Sequence, residues 1–148
     1  MKRIIMFVLL GSLLLAACGQ APLTGDIVPT LTVTDGTASK VYTTSDLQKL
    51  RQVQLVDKGI TYLGVPLGNL LQNSGYDPTT VIAVQALASD GFSASYDQTL
   101  IQNSDTLLAY ALLDRALGDD EGPFRMVLPG KAGKLNPRMV VKLMVSHP

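Results

Sequence analysis

Two Asp-Gly dipeptides, Asp35-Gly36 and Asp90-Gly91, each separate two segments in which apolar and polar residues alternate. Asp-Gly is a strong signal for a tight hairpin turn, because glycine readily adopts the positive φ that such turns require. The alternation on either side has the two-residue period of a strand with one buried face. The sequence therefore predicts two β-hairpins, and a chain that contains both must be rich in strands.

Other short apolar segments extend the strand pattern along the chain. The run Val81–Leu87 is apolar on both faces and predicts a central strand. The run Leu107–Leu113 suits either a helix or a strand by its length, and Tyr110 favours the strand. The predicted strands are 30–34, 41–42, 53–55, 60–63, 81–87, 92–96, 107–113, 124–128 and 139–145.

Two short helices complete the predicted fold. Thr43, or one of the two residues after it, can cap a helix that runs through Leu50, because its side-chain oxygen accepts a hydrogen bond from the first turn. Pro66 suits the start of a second helix, which Gly75 ends. Strands outnumber helices, so the predicted fold class is α+β: a strand-rich mixed α/β arrangement in a single small domain.

The N-terminal segment has the layout of an export signal. Two basic residues precede an apolar run, 4–15, that is too short to cross a bilayer core of about 30 Å. The run ends in Leu15-Ala16-Ala17-Cys18, which resembles the signal of bacterial lipoproteins, in which the cysteine is lipidated and becomes the first mature residue. The alternative is an ordinary secretory cleavage site that leaves the Cys18 thiol free.

The lipoprotein interpretation divides the chain into a signal peptide at 1–17, a tether at 18–28 that begins at lipidated Cys18, and a domain at 29–146. It predicts a protein of the bacterial cell envelope that acyl chains hold on the membrane, facing the periplasm. Gly19, rather than an aspartate, follows the cysteine, and this resembles the pattern of lipoproteins sent to the outer membrane of Gram-negative cells.

Composition excludes several classes of function. Twelve basic residues balance twelve acidic ones, so the chain lacks the excess positive charge that a nucleic-acid partner requires. Cys18 and His147 are the only cysteine and histidine, which leaves too few ligands for a zinc site. His147 is the penultimate residue and is predicted to be a frayed end. The acidic segment 119–123 lacks the ligand spacing of a calcium loop and is predicted to be a solvated turn.

One loop has the composition of an anion-binding site. The segment Pro129–Lys134 contains two glycines together with Lys131 and Lys134, so its backbone N–H groups can turn toward an anion that its charges attract. Arg125 precedes the loop on a predicted strand and could add a forked donor. The spacing is not that of a Walker loop. The alternative is an exposed basic loop that joins the last two strands.

Four motifs occur in order along the chain: Tyr62–Leu71, Ala88–Ser93, Leu108–Tyr110 and Gly122–Pro129. In this order they resemble the oxidoreductase molybdopterin-binding domain of the sulfite oxidase type, and the resemblance spans nearly all of residues 30–145. It implies a strand-rich fold in which the Asp90-Gly91 hairpin and the strand of Arg125 flank a cofactor groove. The candidate cofactor-binding residues are Arg125, Lys131, Lys134 and Asp90, with an Arg125–Asp90 pair that braces the fold as an alternative.

The chain departs from the family pattern at positions that matter for chemistry. The family's enzymes hold molybdenum with a cysteine thiolate before the Gly-x-Pro-Leu motif, and the corresponding stretch, Gln52–Gly59, contains no cysteine. Glu121 stands where the family often has a histidine, and its charge would repel a pterin phosphate. Asn136-Pro137 replaces an expected Lys-Trp pair.

Three functions follow from this resemblance and stay open at the level of sequence. The first is a lipid-anchored, non-catalytic domain that binds a pterin without metal or another small anionic ligand. The second is an accessory module that binds an envelope protein partner and has no cofactor. The third is a molybdenum-dependent oxidoreductase in which another ligand replaces the thiolate.

Overall fold

The computed structural model describes residues 27–148, and the predicted signal peptide, Cys18 and most of the tether lie outside this range. Within it, none of the helices is long and apolar enough to cross a membrane. The helices are α1 (Thr44–Leu47), α2 (Leu67–Asn73) and α3 (Gln98–Gln102), and a 3₁₀ turn covers Gly133–Leu135. The strands are β1 (Thr30–Thr34), β2 (Ser39–Thr43), β3 (Val53–Asp57), β4 (Ile60–Pro66), β5 (Ala83–Ala88), β6 (Ser93–Asp97), β7 (Leu107–Leu112), β8 (Arg125–Val127) and β9 (Val140–Ser146).

These strands form two sheets. The larger sheet has the order β2-β1-β9-β5-β6, and the smaller sheet has the order β3-β4-β7-β8. Strands β1 and β9 run parallel, whereas the other neighbouring pairs among the described strands are antiparallel. Because β9 comes last in the chain but lies in the middle of the larger sheet, it joins the first hairpin to the hairpin β5–β6.

One main core joins both sheets and the helices. Leu31 and Leu143 enter it from the larger sheet, Leu108 and Met126 from the smaller sheet, and Leu70 from α2. Full burial of a leucine side chain contributes on the order of 2 kcal/mol to the free energy of unfolding. In the larger sheet, alternation with polar neighbours, as at Leu31, sets which face of the strand points inward.

The smaller sheet also has an apolar outer face. A second cluster of buried side chains covers that face: Tyr62, Leu107, Ala109, Leu112 and Val127. Strand β7 is thus buried on both faces, which explains its continuous apolar run. The larger sheet differs, because its outer face is open to solvent and carries Thr32, Gln85 and Lys142.

The structure confirms the two predicted hairpins, and segment 107–112 is a strand, as predicted. Some details of the prediction are wrong. Strand β5 is an inner strand, between β9 and β6, but it is not buried on both faces, because only one face of that sheet is covered and Gln85 is exposed. Helix α3 was not predicted. Helix α1 ends at Leu47 rather than Leu50, because the N–H of Leu50 bonds to the carbonyl three residues earlier and tightens the chain there.

The segment before β8 fixes the smaller sheet against β9. The N–H of Met139 donates to the carbonyl of Glu121 at 2.8 Å, and that of Val140 donates to Phe124 at 2.8 Å. Gly122 between them has a φ of +71°, and a Cβ there would lie 2.8 Å from the Cα of Met139. A glycine is therefore required at this position for the two segments to approach.

Candidate functional site

Arg125 is the first residue of β8, at the edge of the smaller sheet, and it is 7% exposed. Residues along a strand alternate between its two faces, so Arg125 shares the outer face with Val127, while Met126 points into the main core. The register partner of Arg125 on β7 is Ala109. The fold thus places a charged side chain within an apolar layer, where it requires a partner.

The guanidinium has two partners, Glu121 and Tyr62, and we call these three residues the buried cluster. Nη1 of Arg125 pairs with Oε1 of Glu121, whose side chain is also largely buried. Nη1 also donates to the Tyr62 hydroxyl at 3.3 Å, and the guanidinium carbon lies 5.1 Å from the centroid of the Tyr62 ring. Burial raises the pKa of Tyr62, so its hydroxyl stays protonated at neutral pH.

The position of Glu121 corrects the prediction of a solvated turn for its segment. The N–H groups of Glu121 and Gly122 both donate to the carbonyl of Gly118, at 2.9 and 3.1 Å, and this turn folds Glu121 inward. The spacing of four residues then brings its carboxylate to Arg125. Only residues 119–120 of the acidic segment are exposed carboxylates, as predicted.

Asp90 lies on the exposed turn between β5 and β6, where its Oδ1 accepts a hydrogen bond from the N–H two residues later at 2.9 Å. Two backbone hydrogen bonds link this turn to the buried cluster, because Ser89 donates to Met139 at 2.9 Å and Met139 donates to Glu121 at 2.8 Å. Asp90 and Arg125 therefore lie at the same end of β9. Within residues 27–148 the carboxylate of Asp90 forms no ion pair, so the alternative of an Arg125–Asp90 brace is wrong.

Lys131 and Lys134 lie exposed on the loop between β8 and β9. Asn136 holds this loop, because its Oδ1 accepts from the N–H of Leu128 at 2.5 Å and its Nδ2 donates to Ala132 at 3.2 Å. In the part of the chain that the structure describes, neither lysine is hydrogen-bonded or ion-paired to the buried cluster. The four predicted site residues are therefore not gathered into one cluster of charges.

A second charged pair was missed by the sequence analysis. His147 is not a frayed end, because its Nε2 lies 3.0 Å from Oδ2 of Asp35 on the turn between β1 and β2. We call this the terminal pair. The two residues are 112 positions apart, and no local pattern could indicate their contact. Tyr62 and Glu121 were likewise not predicted in the buried cluster, because the rule that pairs residues four apart holds on a helix, and Glu121 lies in a turn before the strand of Arg125.

The donor set can be tested against the cofactor that the resemblance implies. A molybdenum centre of this type uses a thiolate, and the chain's only cysteine is Cys18, which precedes the domain. Among residues 27–148, no group of three or more His, Cys, Asp or Glu side chains could hold a metal ion. The one buried cation of the outer face, Arg125, already balances Glu121. These residues do not fit a molybdenum centre.

Comparison with known proteins agrees with this fold. The family model of the oxidoreductase molybdopterin binding domain matches residues 41–148. Among solved structures, the sulfane dehydrogenase SoxCD from Paracoccus pantotrophus is similar over 80% of this chain, with 20% identity and a TM-score of 0.66, and the chain spans 38% of that protein's chain. No curated protein sequence matches. The family match covers well over half of the sequence, and the chain belongs to the oxidoreductase molybdopterin-binding domain family.

Proposed function

We propose that the chain is a lipid-anchored protein of the bacterial cell envelope, in which the family domain is a non-catalytic module that binds another envelope protein. The observation that carries this proposal is the buried cluster. Arg125, the residue that the resemblance assigns to the cofactor, has its charge balanced by Glu121 inside the protein. An anion that takes this guanidinium must leave the Glu121 carboxylate buried without a partner, which is strongly unfavourable. The domain thus uses its buried cation for its own packing.

A second candidate function is the binding of a pterin without metal, or of another small anion. Nε of Arg125 is buried and has no hydrogen-bond partner among the described residues, so one donor is available. Lys131 and Lys134 offer two exposed charges on the loop after β8. This candidate ranks second because the Glu121 carboxylate, beside the guanidinium, repels an approaching anion.

The cofactor content of the protein distinguishes the two candidates. The full chain is exported in cells that make molybdenum cofactor, then analysed for molybdenum by elemental mass spectrometry and for pterin by the fluorescence of the oxidised form released on denaturation. We expect far less than one molybdenum and one pterin per chain. One molybdenum per chain would overturn the non-catalytic proposal, and one pterin per chain without molybdenum would establish the second candidate.

The Glu121→Gln variant tests whether the buried cluster is what excludes the pterin. Glutamine keeps the size of the side chain and an oxygen acceptor for Arg125, but it leaves the guanidinium charge unbalanced. If the cluster closes the site, the variant retains more pterin than the native chain after export. A matched control, Lys131→Gln with Lys134→Gln, changes charge outside the cluster and should retain no more pterin than the native chain. Equal absence of pterin from the native chain and Glu121→Gln would show that the buried cluster is not what excludes the pterin.

The lipid anchor has its own test. Acylation requires the thiol of Cys18, so Cys18→Ser should move the exported chain from the membrane fraction to the soluble fraction. Mass spectrometry of the native chain should find an acylated cysteine as its first residue. An unmodified Cys18 thiol in the exported chain would contradict the anchor without affecting the conclusions about the buried cluster.

A further inference from the structure

A cleft of about 580 Å³ lies at the opposite end of β9 from the buried cluster. Its walls are the turn between β1 and β2, the segment that follows α2, and the residues after β9. Small-molecule sites commonly have volumes of about 300–1,000 Å³. The cleft therefore has the size of a ligand site, and none of the candidate cofactor residues lines it.

Asp35 presents a single carboxylate oxygen to the cleft. Its Oδ1 accepts three hydrogen bonds, from the N–H and hydroxyl of Thr37 at 2.8 Å each and from the N–H of Ala38 at 2.7 Å. Its Oδ2 contacts His147 at 3.0 Å. The hydrogen bonds from Ala38, His147 and Thr37 hold the pKa of Asp35 well below its ordinary value, so the carboxylate is charged at any physiological pH.

Below its raised pKa, His147 contacts Oδ2 as a cation. Its Nε2 faces Asp35, and its Nδ1 lies 3.2 Å from the carbonyl oxygen of Pro148. Both partners are acceptors, and only the doubly protonated imidazolium can donate to both at once. The hydrogen bond to Asp35 accordingly raises the pKa of His147. When it is protonated, His147 therefore places a positive charge beside Oδ2 of Asp35, on a side chain that is 40% exposed.

Other hydrogen-bond donors of the cleft are already engaged within the protein. The Ser74 hydroxyl is engaged by Tyr42 and by the carbonyl of Leu70, both at 2.8 Å. The N–H of Tyr76 donates to Leu71 at 3.0 Å. These donors are therefore already used, whereas a cation would find the Asp35 and Asp77 carboxylates.

One carboxylate and an aromatic ring lie against the imidazole. Asp35 contacts it from the β1–β2 turn, and Tyr76 lies beside it on the segment after α2. Asp77, on the same segment, is a second carboxylate of the cleft. The rings of Tyr76 and His147 have centroids 5.8 Å apart and are tilted by 39°. Lys40 on β2 is the nearby basic residue, and its ammonium is directed to the carbonyl of Asn73. The face of an aromatic ring attracts a cation, so a ring beside a carboxylate is a suitable environment for a bound ammonium group.

We propose that this cleft binds a small organic ammonium compound, whose charge replaces the His147 imidazolium on Oδ2 of Asp35 and whose carbon frame lies against the Tyr76 ring. Ligand and imidazolium then compete for one oxygen. Deprotonation of His147 removes the competitor, so the affinity rises with pH by at most about tenfold per unit across the titration of the imidazole.

Calorimetric titration of the full chain with benzylamine tests the proposal, because this amine combines a primary ammonium with a ring. Benzyl alcohol, which has the same shape and no charge, is the matched control ligand. We expect benzylamine to bind at least tenfold more tightly than benzyl alcohol at about pH 8, and to weaken as the pH falls to about 5.5. Failure of benzylamine to bind, or equal binding of the alcohol, would overturn the proposal.

Two variants separate the roles of the terminal pair. Asp35→Asn should lower the affinity for benzylamine at least tenfold, whereas Asp46→Asn, at a hydrogen-bonded carboxylate outside the cleft, should leave it unchanged. His147→Ala lies at an exposed chain end and should flatten the pH profile, with tighter binding than the native chain at about pH 5.5. If Asp35→Asn fails to fold, the His147→Ala profile decides alone. An unchanged pH profile in His147→Ala would overturn the competition.

Discussion

Two ion pairs lie at opposite ends of β9, and they differ in the exposure of their positive side chains to water. In the buried cluster the Arg125 and Glu121 side chains are 9% and 15% exposed, whereas in the terminal pair His147 is 40% exposed and Asp35 is 13% exposed. Loss of Glu121 leaves the Arg125 guanidinium in a low-dielectric interior without its counter-charge. In the terminal pair water reaches the imidazole, and hydrogen bonds from Thr37 and Ala38 still stabilise the Asp35 carboxylate when the imidazole loses its charge. The same kind of contact therefore serves packing at one end of β9 and can be exchanged for a ligand at the other.

The largest effect expected from this comparison is that of Glu121→Ala. It leaves the Arg125 guanidinium buried without its counter-charge, which we expect to lower the free energy of unfolding by about 3–5 kcal/mol. Urea unfolding of the full chain measures this loss. The matched control is Asp120→Ala, which removes an exposed carboxylate 3.0 Å from Arg138 and should leave the midpoint unchanged. Equal losses in the two variants would show that the buried Arg125–Glu121 pair stabilises the fold no more than the exposed Arg138–Asp120 pair.

The next effect concerns the backbone that carries Glu121. Gly122→Ala imposes a side chain at a φ of +71° and against Met139, so we expect a loss of about 1–3 kcal/mol. Gly130→Ala is the control, because its φ of +69° is similar and a Cβ there would meet no atom of the described residues within 4 Å. Thermal unfolding should give a clearly smaller loss for Gly130→Ala. Similar losses would mean that the contact with Met139 contributes nothing.

A smaller effect is expected from Tyr62→Phe. The ring stays beside the guanidinium, and only the hydroxyl that accepts from Arg125 is removed, which should cost about 1 kcal/mol. The hydroxyl of Tyr110 is buried and has no hydrogen-bond partner within residues 27–148, so Tyr110→Phe should be neutral or stabilising. Urea unfolding of both variants checks the difference. A loss with Tyr62→Phe as large as that of Glu121→Ala would place the main stabilisation of Arg125 on the tyrosine.

The fold was predictable where a local pattern carries the information. The turns at Asp35-Gly36 and Asp90-Gly91 define two hairpins because their residues suit tight turns, and the apolar run at 107–112 defines β7 because that strand is buried on both faces. The pairing of β1 with β9 was not predictable in this way. It joins the two ends of the domain, and only the packing of the whole chain decides it.

The candidate site was predictable in part for the same reason. Motif order indicated the importance of Arg125, but its partner depended on a turn at Gly118 that folds Glu121 inward. A run of acidic residues ordinarily lies in solvent, so composition alone assigned Glu121 to the surface. The contact between Asp35 and His147 had no sequence signal, because it follows from the parallel pairing of β1 and β9.

The terminal pair predicts a dependence of stability on pH. The pKa of His147 is raised above its ordinary 6.5, so the contribution of the pair is fully present below that value and is lost as the pH rises through the raised one. The pKa of Asp35 is lowered below its ordinary 3.8, so its contribution is present above 3.8 and is lost as the pH falls through the lowered one. The pair therefore stabilises the fold most between these two ordinary values.

His147→Ala should accordingly lower Tm relative to the native chain more at about pH 5.5 than at about pH 8.5, because the contribution of the pair falls as the pH rises through the raised pKa of His147. Scanning fluorimetry of the full chain at the two pH values measures the difference. Lys49→Ala removes the partner of Asp46 in another exposed pair, 3.1 Å apart, which contains no histidine, so its effect should be the same at both values. An effect of His147→Ala that is independent of pH would mean that the imidazole contributes through packing on Tyr76 and not through its charge on Asp35.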